Sequence, residues 1–188
     1  MHKKLRAHIE KTVTLTDDEF DLLLPYFTLK HFHKKEFLFE RGQKVEYAYY
    51  VVSGLLKLVF VDKDASEHIV SFAMEDWWES DFSAFFMKTR ATMSLVCLEE
   101  TSVYCIAHDD YWSLCNSMPK IERFLLQKSN MGFIGAQQRV LSLLTTNAKE
   151  RYEQLITQSP SLLQRVSKTQ LASYLGVSRE TLSRLFIQ

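Results

Sequence analysis

The chain has 188 residues, 46% of them hydrophobic, which suits one large domain or two small ones with a substantial core. Lysine plus arginine and aspartate plus glutamate both number 23, so the net charge by itself gives no sign of a nucleic-acid partner. No stretch approaches the length of a membrane span, and the charged amino terminus precedes no apolar run. We therefore expect a cytoplasmic protein without a membrane partner.

The first 30 residues alternate charged side chains with an apolar stripe that begins at Leu5 and Ile9. Acidic residues after Thr16 are typical of a helix start, and Pro25 is typical of a helix end. The pattern predicts two short helices.

Residues 31 to 108 change to short β segments divided by polar turns. Several strands of this size, with turns every eight to twelve residues, predict an antiparallel sandwich or roll. The aromatic residues after the fourth strand either line an apolar pocket or plug the roll, and plugging is the favoured use. The predicted strands are Glu36 to Glu40, Tyr47 to Val52, Leu55 to Val61, Ile69 to Met74, Met93 to Leu98 and Ser102 to Ile106, and the aromatic residues are Trp77, Trp78, Phe82, Phe85 and Phe86.

Two residue patterns raise the question of a metal. His31 and His33, followed by Glu36 and Gly42, resemble the metal-binding motif of cupins, but the spacing to Glu36 is short and no third histidine fits. The cysteines are odd in number and widely spaced among apolar residues, which is typical of reduced, buried thiols. They are Cys97, Cys105 and Cys115. We predict no metal site, no cofactor and no catalytic reaction.

From Pro119 to about Asn147, apolar residues recur with helical spacing on two faces instead of one. One face is expected to pack on its own protomer, and the other needs a partner. The pattern favours a parallel two-fold homodimer; the alternative is a helix buried within one protomer.

Near the carboxyl end, Leu171, Ala172 and Leu175 mark the apolar side of one short helix. Gly176 can adopt the left-handed conformation that ends a helix, and the small side chain of Ala172 permits a close helix crossing. These residues predict the first half of a helix-turn-helix.

Ser178 is placed to cap a second helix that buries Leu182 and Leu185. Its other side presents side chains that bond guanine edges, cytosine or phosphate. These side chains are Arg179, Glu180, Ser183 and Arg184. The interpretation is a DNA-reading helix; the alternative is an ordinary helical hairpin in which Arg179 pairs with Glu180 or both are solvated.

The charge distribution agrees with DNA reading. From Ala148 to the end there are six basic and three acidic residues, a net charge of +3, which leaves −3 for the rest of the chain. The six basic residues are Lys149, Arg151, Arg165, Lys168, Arg179 and Arg184. The excess lies where the reading helix lies, as an electrostatic footprint requires.

The order of elements along the chain resembles the Crp/Fnr family of bacterial transcription regulators. The features that carry the resemblance are the amino-terminal helix, the turn at Gly42, the Tyr50–Gly54 hairpin segment, Asp76–Trp78, the long helix and the helix-turn-helix. Details such as the Glu75–Trp78 stretch most resemble members from Bacteroidetes. The resemblance implies an α+β fold: an antiparallel, cyclic-nucleotide-binding-like β-roll (a double-stranded β-helix) with flanking helices, a long dimerisation helix and a winged-helix-type helix-turn-helix. The corresponding domains are residues 1–118, 119–147 and 148–188.

The family resemblance also implies a function. The homodimer would bind double-stranded DNA at an inverted repeat and would have RNA polymerase as a partner. Arg179 and Arg184 would contact guanines and Glu180 would accept from cytosine, in a half-site similar to the family's TGTGA. The residues implied to hold phosphates are Lys168, Thr169, Gln170, Ser178 and Ser183. The alternative function is a β-roll sensor whose head no longer binds DNA and which acts on a protein partner.

The resemblance places an effector pocket in the roll, and here the sequence departs from the family. Where nucleotide-binding relatives have a Gly-Glu pair for phosphate and ribose, this chain has Glu79-Ser80. A carboxylate repels phosphate, and serine cannot reach as glutamate does. Arg90-Ala91-Thr92 resembles the family's phosphate-pairing arginine and small residue. We therefore expect a small effector, if any, other than cyclic AMP bound in the standard way.

The printed sequence stops at Gln188, about ten residues into the reading helix and without the wing strand or basic tail of many relatives. The expectation at this point is modest DNA affinity.

Overall fold

A computed structural model describes residues 1–185, with side chains described up to Arg184. The chain divides into two compact units. The first contains Met1–Leu58 and Phe72–Met131; the second contains Val59–Ser71 and the residues from Gly132 onward. The mixed α+β class is confirmed.

Helices and strands alternate along the chain as follows. The strands are β1 (Phe27–Phe32), β2 (Phe37–Phe39), β3 (Tyr47–Ser53), β4 (Leu56–Val61), β5 (Glu67–Ala73), β6 (Trp78–Glu79), β7 (Ser94–Cys97) and β8 (Thr101–Ala107). The helices are α1 (His2–Glu10), α2 (Asp17–Leu23), α3 (Phe82–Met87), α4 (His108–Ser117), α5 (Pro119–Thr145), α6 (Ala148–Gln158), α7 (Pro160–Leu163), α8 (Lys168–Leu175) and α9 (Arg179–Leu185), with a 3-10 turn at Leu24–Tyr26.

The strands form two four-stranded sheets in the orders β1-β8-β3-β6 and β2-β7-β4-β5. In the first sheet, β8 lies between β1 and β3 and is antiparallel to both, so that Tyr104 pairs with Leu29 on one side and with Tyr50 on the other. The central strands are buried on both faces, since residues 48–52 of β3 and residues 103–106 of β8 are all buried. The predicted antiparallel roll is confirmed.

The amino-terminal segment forms the two predicted helices. Thr16 accepts a hydrogen bond from the amide of Glu19 while the Glu19 side chain accepts from the amide of Thr16, a reciprocal cap that starts α2. Leu5, Ile9 and Leu23 are fully buried and cover the core of the first unit. Both helices therefore act as part of the roll.

Four elements of the first unit were not expected from the sequence: strands β1 and β6 and helices α3 and α4. Helix α3 forms because Asp81 caps it, with its carboxylate accepting from the amide of Ala84. The aromatic group is also split: Phe85 is fully buried, whereas Trp77 and Phe82 are 48% and 39% exposed. The expectation that the whole group plugs the roll is therefore only partly right, since Phe82 lies on an exposed side of α3 and Trp77 lies in the turn segment before β6.

The cysteines are free thiols, two of them buried and Cys115 half-buried. Burial raises the pKa of Cys97 to about 11 and that of Cys105 to about 12, so both are protonated at neutral pH. Such thiols are poor nucleophiles and poor metal ligands. Within residues 1–185, no helix is both long enough and apolar enough to cross a bilayer.

Candidate DNA-binding head and effector pocket

The head of the second unit is built on α8. Ser167 accepts from the amide of Gln170, and the Gln170 side chain accepts from the amide of Ser167, so the helix start is capped in both directions. Leu171, Ala172 and Leu175 are buried, as predicted. The apolar side of α8 is therefore the side that packs.

The turn after α8 depends on Gly176, which has φ of +69° and ends the helix in the left-handed conformation. The amide of Val177 then donates to the carbonyl of Ala172, which satisfies a carbonyl at the helix end. A methyl group added at Gly176 would lie 3.5 Å from the Leu143 side chain, so the glycine is needed for its conformation and not for space. The predicted turn is confirmed.

Helix α9 follows, with its apolar and polar side chains on the sides that the sequence predicts. The Ser178 hydroxyl accepts from the amide of Thr181 at 3.1 Å, and Leu182 is fully buried. Arg179, Glu180 and Arg184 are exposed and available to a ligand. The expected burial of Leu185 concerns a side chain outside the described part, and Phe186, Ile187 and Gln188, like any wing, lie outside the described residues.

Glu180 is held in its ionised form. Its pKa is lowered by its own backbone amide first, then by the Ser178 hydroxyl and by the charges of Arg179 and Arg184. An ionised carboxylate only accepts hydrogen bonds, which is what the amino group of cytosine requires of a partner.

The residues predicted to hold phosphates differ in exposure and in their bonds within the head. Lys168 and Thr169 are exposed at the start of α8, whereas Ser183 is half-buried. Gln170 and Ser178 already use their side-chain oxygens as helix caps. All five lie on or next to the two helices of the head.

One basic residue of the carboxyl-terminal excess has an internal role. The Arg151 guanidinium donates from Nε to the Leu175 carbonyl at 3.0 Å and from Nη1 to the Thr146 carbonyl. These carbonyls end α8 and α5, where a positive charge is favourable. The interpretation of Arg151 as part of a DNA footprint therefore misses a structural function that no local pattern indicates.

The long helix α5 exposes a continuous set of apolar side chains. Its first turns bury Ile121, Phe124 and Leu125. Farther along, large apolar residues are 43% to 79% exposed: Leu126, Met131, Phe133, Ile134, Val140, Leu141, Leu143 and Leu144. Exposed apolar area of this extent is typical of an interface.

The predicted effector residues of the roll are engaged with one another and with the chain. Glu79 and Ser80 are buried, with the Ser80 hydroxyl donating to the Tyr47 carbonyl and the Ser80 amide donating to Glu79. Arg90 is exposed, and its Nη1 donates to the Gly42 carbonyl at 2.8 Å. Ala91 is buried.

Asp81 lies among the predicted effector residues, and sequence reasoning missed it. It is fully buried, and its carboxylate accepts from the Ala84 amide at 3.1 Å and from the amide and hydroxyl of Thr92 at 2.8 and 2.9 Å. Its position immediately before an apolar run was a detectable helix-cap signal. An anion of the chain itself thus uses the hydrogen-bond donors of Thr92, one of the residues expected to bind an effector.

The histidines that resemble a cupin motif have separate partners. His31 Nδ1 lies 2.8 Å from the Ser102 hydroxyl, and His33 Nδ1 lies 3.0 Å from a Glu100 oxygen. In the described part of the chain, no group of three or more histidine, cysteine, aspartate or glutamate side chains is placed to hold a metal ion.

The described residues thus comprise a β-roll, a long helix with an exposed apolar face and a helix-turn-helix. The family model for a cyclic nucleotide-binding domain matches residues 29–118. The transcriptional activator protein Anr of Pseudomonas protegens is 29% identical over 166 residues, which cover 81% of this chain and 66% of Anr. The fumarate and nitrate reduction regulatory protein of Vibrio cholerae is 27% identical, covering 92% of this chain and 73% of that protein.

Among solved structures, FixK2 from Bradyrhizobium japonicum aligns with a TM-score of 0.75 at 19% identity, over 86% of this chain and 83% of FixK2. This likeness concerns the fold. The chain spans about two thirds of the length of Anr. The chain is thus similar to regulatory proteins over most of its length and to a cyclic nucleotide-binding domain over residues 29–118.

Proposed function

We propose that the protein is a DNA-binding transcription regulator of the Crp/Fnr type. The observation that carries the proposal is the capped α8–turn–α9 head, in which Arg179, Glu180 and Arg184 are exposed on the second helix while Leu182 is buried. These side chains have the donor and acceptor chemistry that reads base edges in a major groove. The relatives Anr and the Vibrio cholerae protein carry names of transcription regulators, which supports the proposal.

The active form is a homodimer joined along α5, because the apolar side chains exposed there need cover. A two-fold dimer presents two reading helices about 34 Å apart and reads an inverted repeat. By function, residues 1–118 are a sensor, 119–147 the dimerisation helix and 148–188 the DNA-binding domain. We further propose that the protein is cytoplasmic, has RNA polymerase as a partner and catalyses no reaction. Within the Crp/Fnr type, we propose that it is most similar to members from Bacteroidetes.

The test is binding of the full chain to duplexes that contain an inverted repeat of TGTGA, and to a scrambled duplex, over a range of salt concentration. We expect the inverted repeat to bind more tightly and both affinities to fall steeply with salt, since phosphate contacts release counterions. Absence of binding to either duplex at low salt would refute the proposal and favour a sensor that acts on another protein.

For the sensor, we propose regulation by a small effector other than cyclic AMP bound in the standard way. The supporting observation is that the Asp81 carboxylate uses the Thr92 donors, while buried Glu79 adds a second acidic side chain beside Ser80. A phosphate would meet repulsion from these carboxylates.

Thermal unfolding with cyclic AMP tests this part of the proposal. We expect no change in Tm at millimolar nucleotide, because a ligand that does not bind the folded state cannot stabilise it. A rise of several degrees would contradict the assignment of the pocket.

A further inference from the structure

The tip of the β4–β5 hairpin has a defined shape of its own. The Asp62 carboxylate accepts from the amides of Asp64 and Ser66, each at 2.9 Å, and lies 2.7 Å from His68 Nε2. A carboxylate that bonds amides two and four residues ahead holds the turn in one conformation. The tip belongs to the same compact unit as the helix-turn-helix.

Ser173 of α8 joins this hairpin. Its hydroxyl donates to the Glu67 carbonyl at 2.6 Å and accepts from the Ile69 amide at 3.1 Å. The hydroxyl thus uses its donor and one acceptor site on the main chain of a strand, as a neighbouring strand would. Because Ile69 is buried, the contact is partly shielded from water.

Arg139 of α5 completes the junction. Its Nη2 donates to the Ile69 carbonyl at 3.1 Å and to the Tyr174 carbonyl at 2.7 Å. The guanidinium carbon also lies 3.8 Å from the centre of the Tyr174 ring, within the range of a cation–π contact. One arginine therefore ties the dimerisation helix to both the hairpin and the first helix of the head.

We propose that Ser173 and Arg139 are positioning residues for DNA binding, which fix α8 on the β4–β5 hairpin and thereby set the orientation of the reading helix. The inference rests on the proposed function. Helix α9 follows α8 through the single turn at Gly176, so the orientation of α8 determines where α9 points. Arg179, Glu180 and Arg184 remain exposed, so the junction orients the reading surface without masking it.

By chain connectivity, β4 and β5 continue from the hairpin into the β-roll. The junction consequently gives the sensor a second connection to the head besides α5. A shift of the hairpin along its strands would reach α8 directly, through the Glu67 carbonyl and the Ile69 amide that bond Ser173.

The test uses the full chain and two variants. Ser173→Ala removes the hydroxyl, with Thr157→Ala as the matched control, because Thr157 bonds only within α6. Arg139→Lys keeps the charge but loses the planar guanidinium that bonds two carbonyls and stacks on Tyr174. Two measurements are made on each: amide hydrogen exchange of the free protein, and affinity for the TGTGA inverted repeat against salt.

We expect both variants, and not Thr157→Ala, to exchange faster at the amides of Leu171 to Leu175 and of the hairpin. We also expect about three- to tenfold weaker binding to the inverted repeat, the effect of losing one or two hydrogen bonds, with an unchanged salt slope because the phosphate contacts remain. Unchanged exchange in α8, or binding as tight as the unaltered chain or tighter, would overturn the proposal. If the unaltered chain binds no DNA, the proposed function fails, and hydrogen exchange alone then decides whether the junction orders the head.

Discussion

At the scale of single residues, the proposed function predicts different roles for Arg179 and Lys168 in DNA recognition. Arg179 lies at the start of α9, where an arginine can bond two acceptors of one guanine, whereas Lys168 lies at the start of α8 and has only a point charge for phosphate. We expect Arg179→Ala to cost about 1 to 3 kcal/mol of base discrimination per half-site, and Lys168→Ala to weaken binding to all sequences alike.

Competition binding with cognate and random duplexes measures both effects. Lys149→Ala is the control, since it removes one exposed positive charge from the same unit outside the reading surface. Equal losses on cognate and random DNA for Arg179→Ala would contradict its role in reading bases.

His8 of α1 is a second residue whose environment has a measurable consequence. It is 1% exposed, accepts a hydrogen bond from Trp78 Nε1 at 3.1 Å, and lies 4.3 Å from the Tyr50 ring, centre to centre. Burial first, and then the charge of Lys128, lower its pKa to about 4, although Asp76 at 3.4 Å from Nδ1 opposes the shift. The folded protein therefore keeps His8 neutral.

This environment predicts acid sensitivity. Above pH 6.5, His8 is neutral in both the folded and the unfolded state, so its protonation does not reduce the free energy of unfolding. Between pH 6.5 and about pH 4, His8 binds a proton in the unfolded state but not in the folded state, so the free energy of unfolding falls as the pH falls. We expect a loss of about 2 to 3 kcal/mol over that window, which His8→Gln should remove.

Urea unfolding at pH 7, 5.5 and 4.5 measures this effect. His33→Gln, a change at an exposed histidine, should keep the pH dependence of the unaltered chain. A His8→Gln variant that loses stability in parallel with the unaltered chain would show that other groups cause the acid sensitivity.

At the scale of elements, the turns of the roll depend on backbone conformation to different degrees. Gly54 and Gly42 have φ of +103° and +87°, which L-residues rarely adopt. A Cβ at Gly54 would lie 2.7 Å from the Glu100 carbonyl oxygen, whereas one at Gly42 would meet nothing within 4 Å. Glycine at position 54 therefore permits both the positive φ angle and the close approach of the Glu100 main chain.

Alanine substitutions at Gly42 and Gly54 separate the cost of the positive φ angle from the cost of steric contact with neighbouring atoms. We expect Gly42→Ala to cost about 1 kcal/mol through conformation alone, and Gly54→Ala to cost about 3 kcal/mol or more because main-chain atoms must also move. The urea midpoint of each variant gives the difference. Equal losses would mean that the β3–β4 turn relaxes without strain.

The elements also differ in how well the sequence predicts them. The head was predictable from Leu171, Ala172, Gly176 and Ser178, because caps and the left-handed turn depend on neighbours within four residues. Helix α3 was not, since it has only six residues, half of them aromatic, which give no clear helical period. Its cap, Asp81, is stabilised by Thr92, eleven residues away.

At the scale of the whole molecule, the exposed apolar face of α5 is the interface of the proposed homodimer. Leu144 is 79% exposed in the protomer, so a change there should leave the folded protomer intact. We expect Leu144→Glu to weaken the dimer by more than about tenfold, because burying an unpaired carboxylate is costly, and to weaken DNA binding in parallel.

Analytical ultracentrifugation over a concentration series measures the dimer constant. Gln138→Glu is the control, because it adds the same charge at an exposed polar position of the same helix. A Leu144→Glu variant that stays dimeric would place the dimer contact elsewhere on the molecule.

The sequence by itself determined the class of this protein: the alternation of short strands, the two-faced long helix and the helix-turn-helix are local patterns, and local hydrogen bonds and apolar periodicity are sufficient to specify them. Tertiary structure alone decided what the buried polar residues do. The Asp81 carboxylate accepts a hydrogen bond from the Thr92 amide, and Arg151 donates to the Leu175 carbonyl at the end of α8. Arg139 donates to the carbonyl of Ile69, seventy residues away. Such roles depend on which groups meet in space, and a buried charge or hydroxyl is stable only beside the partners that the fold brings to it.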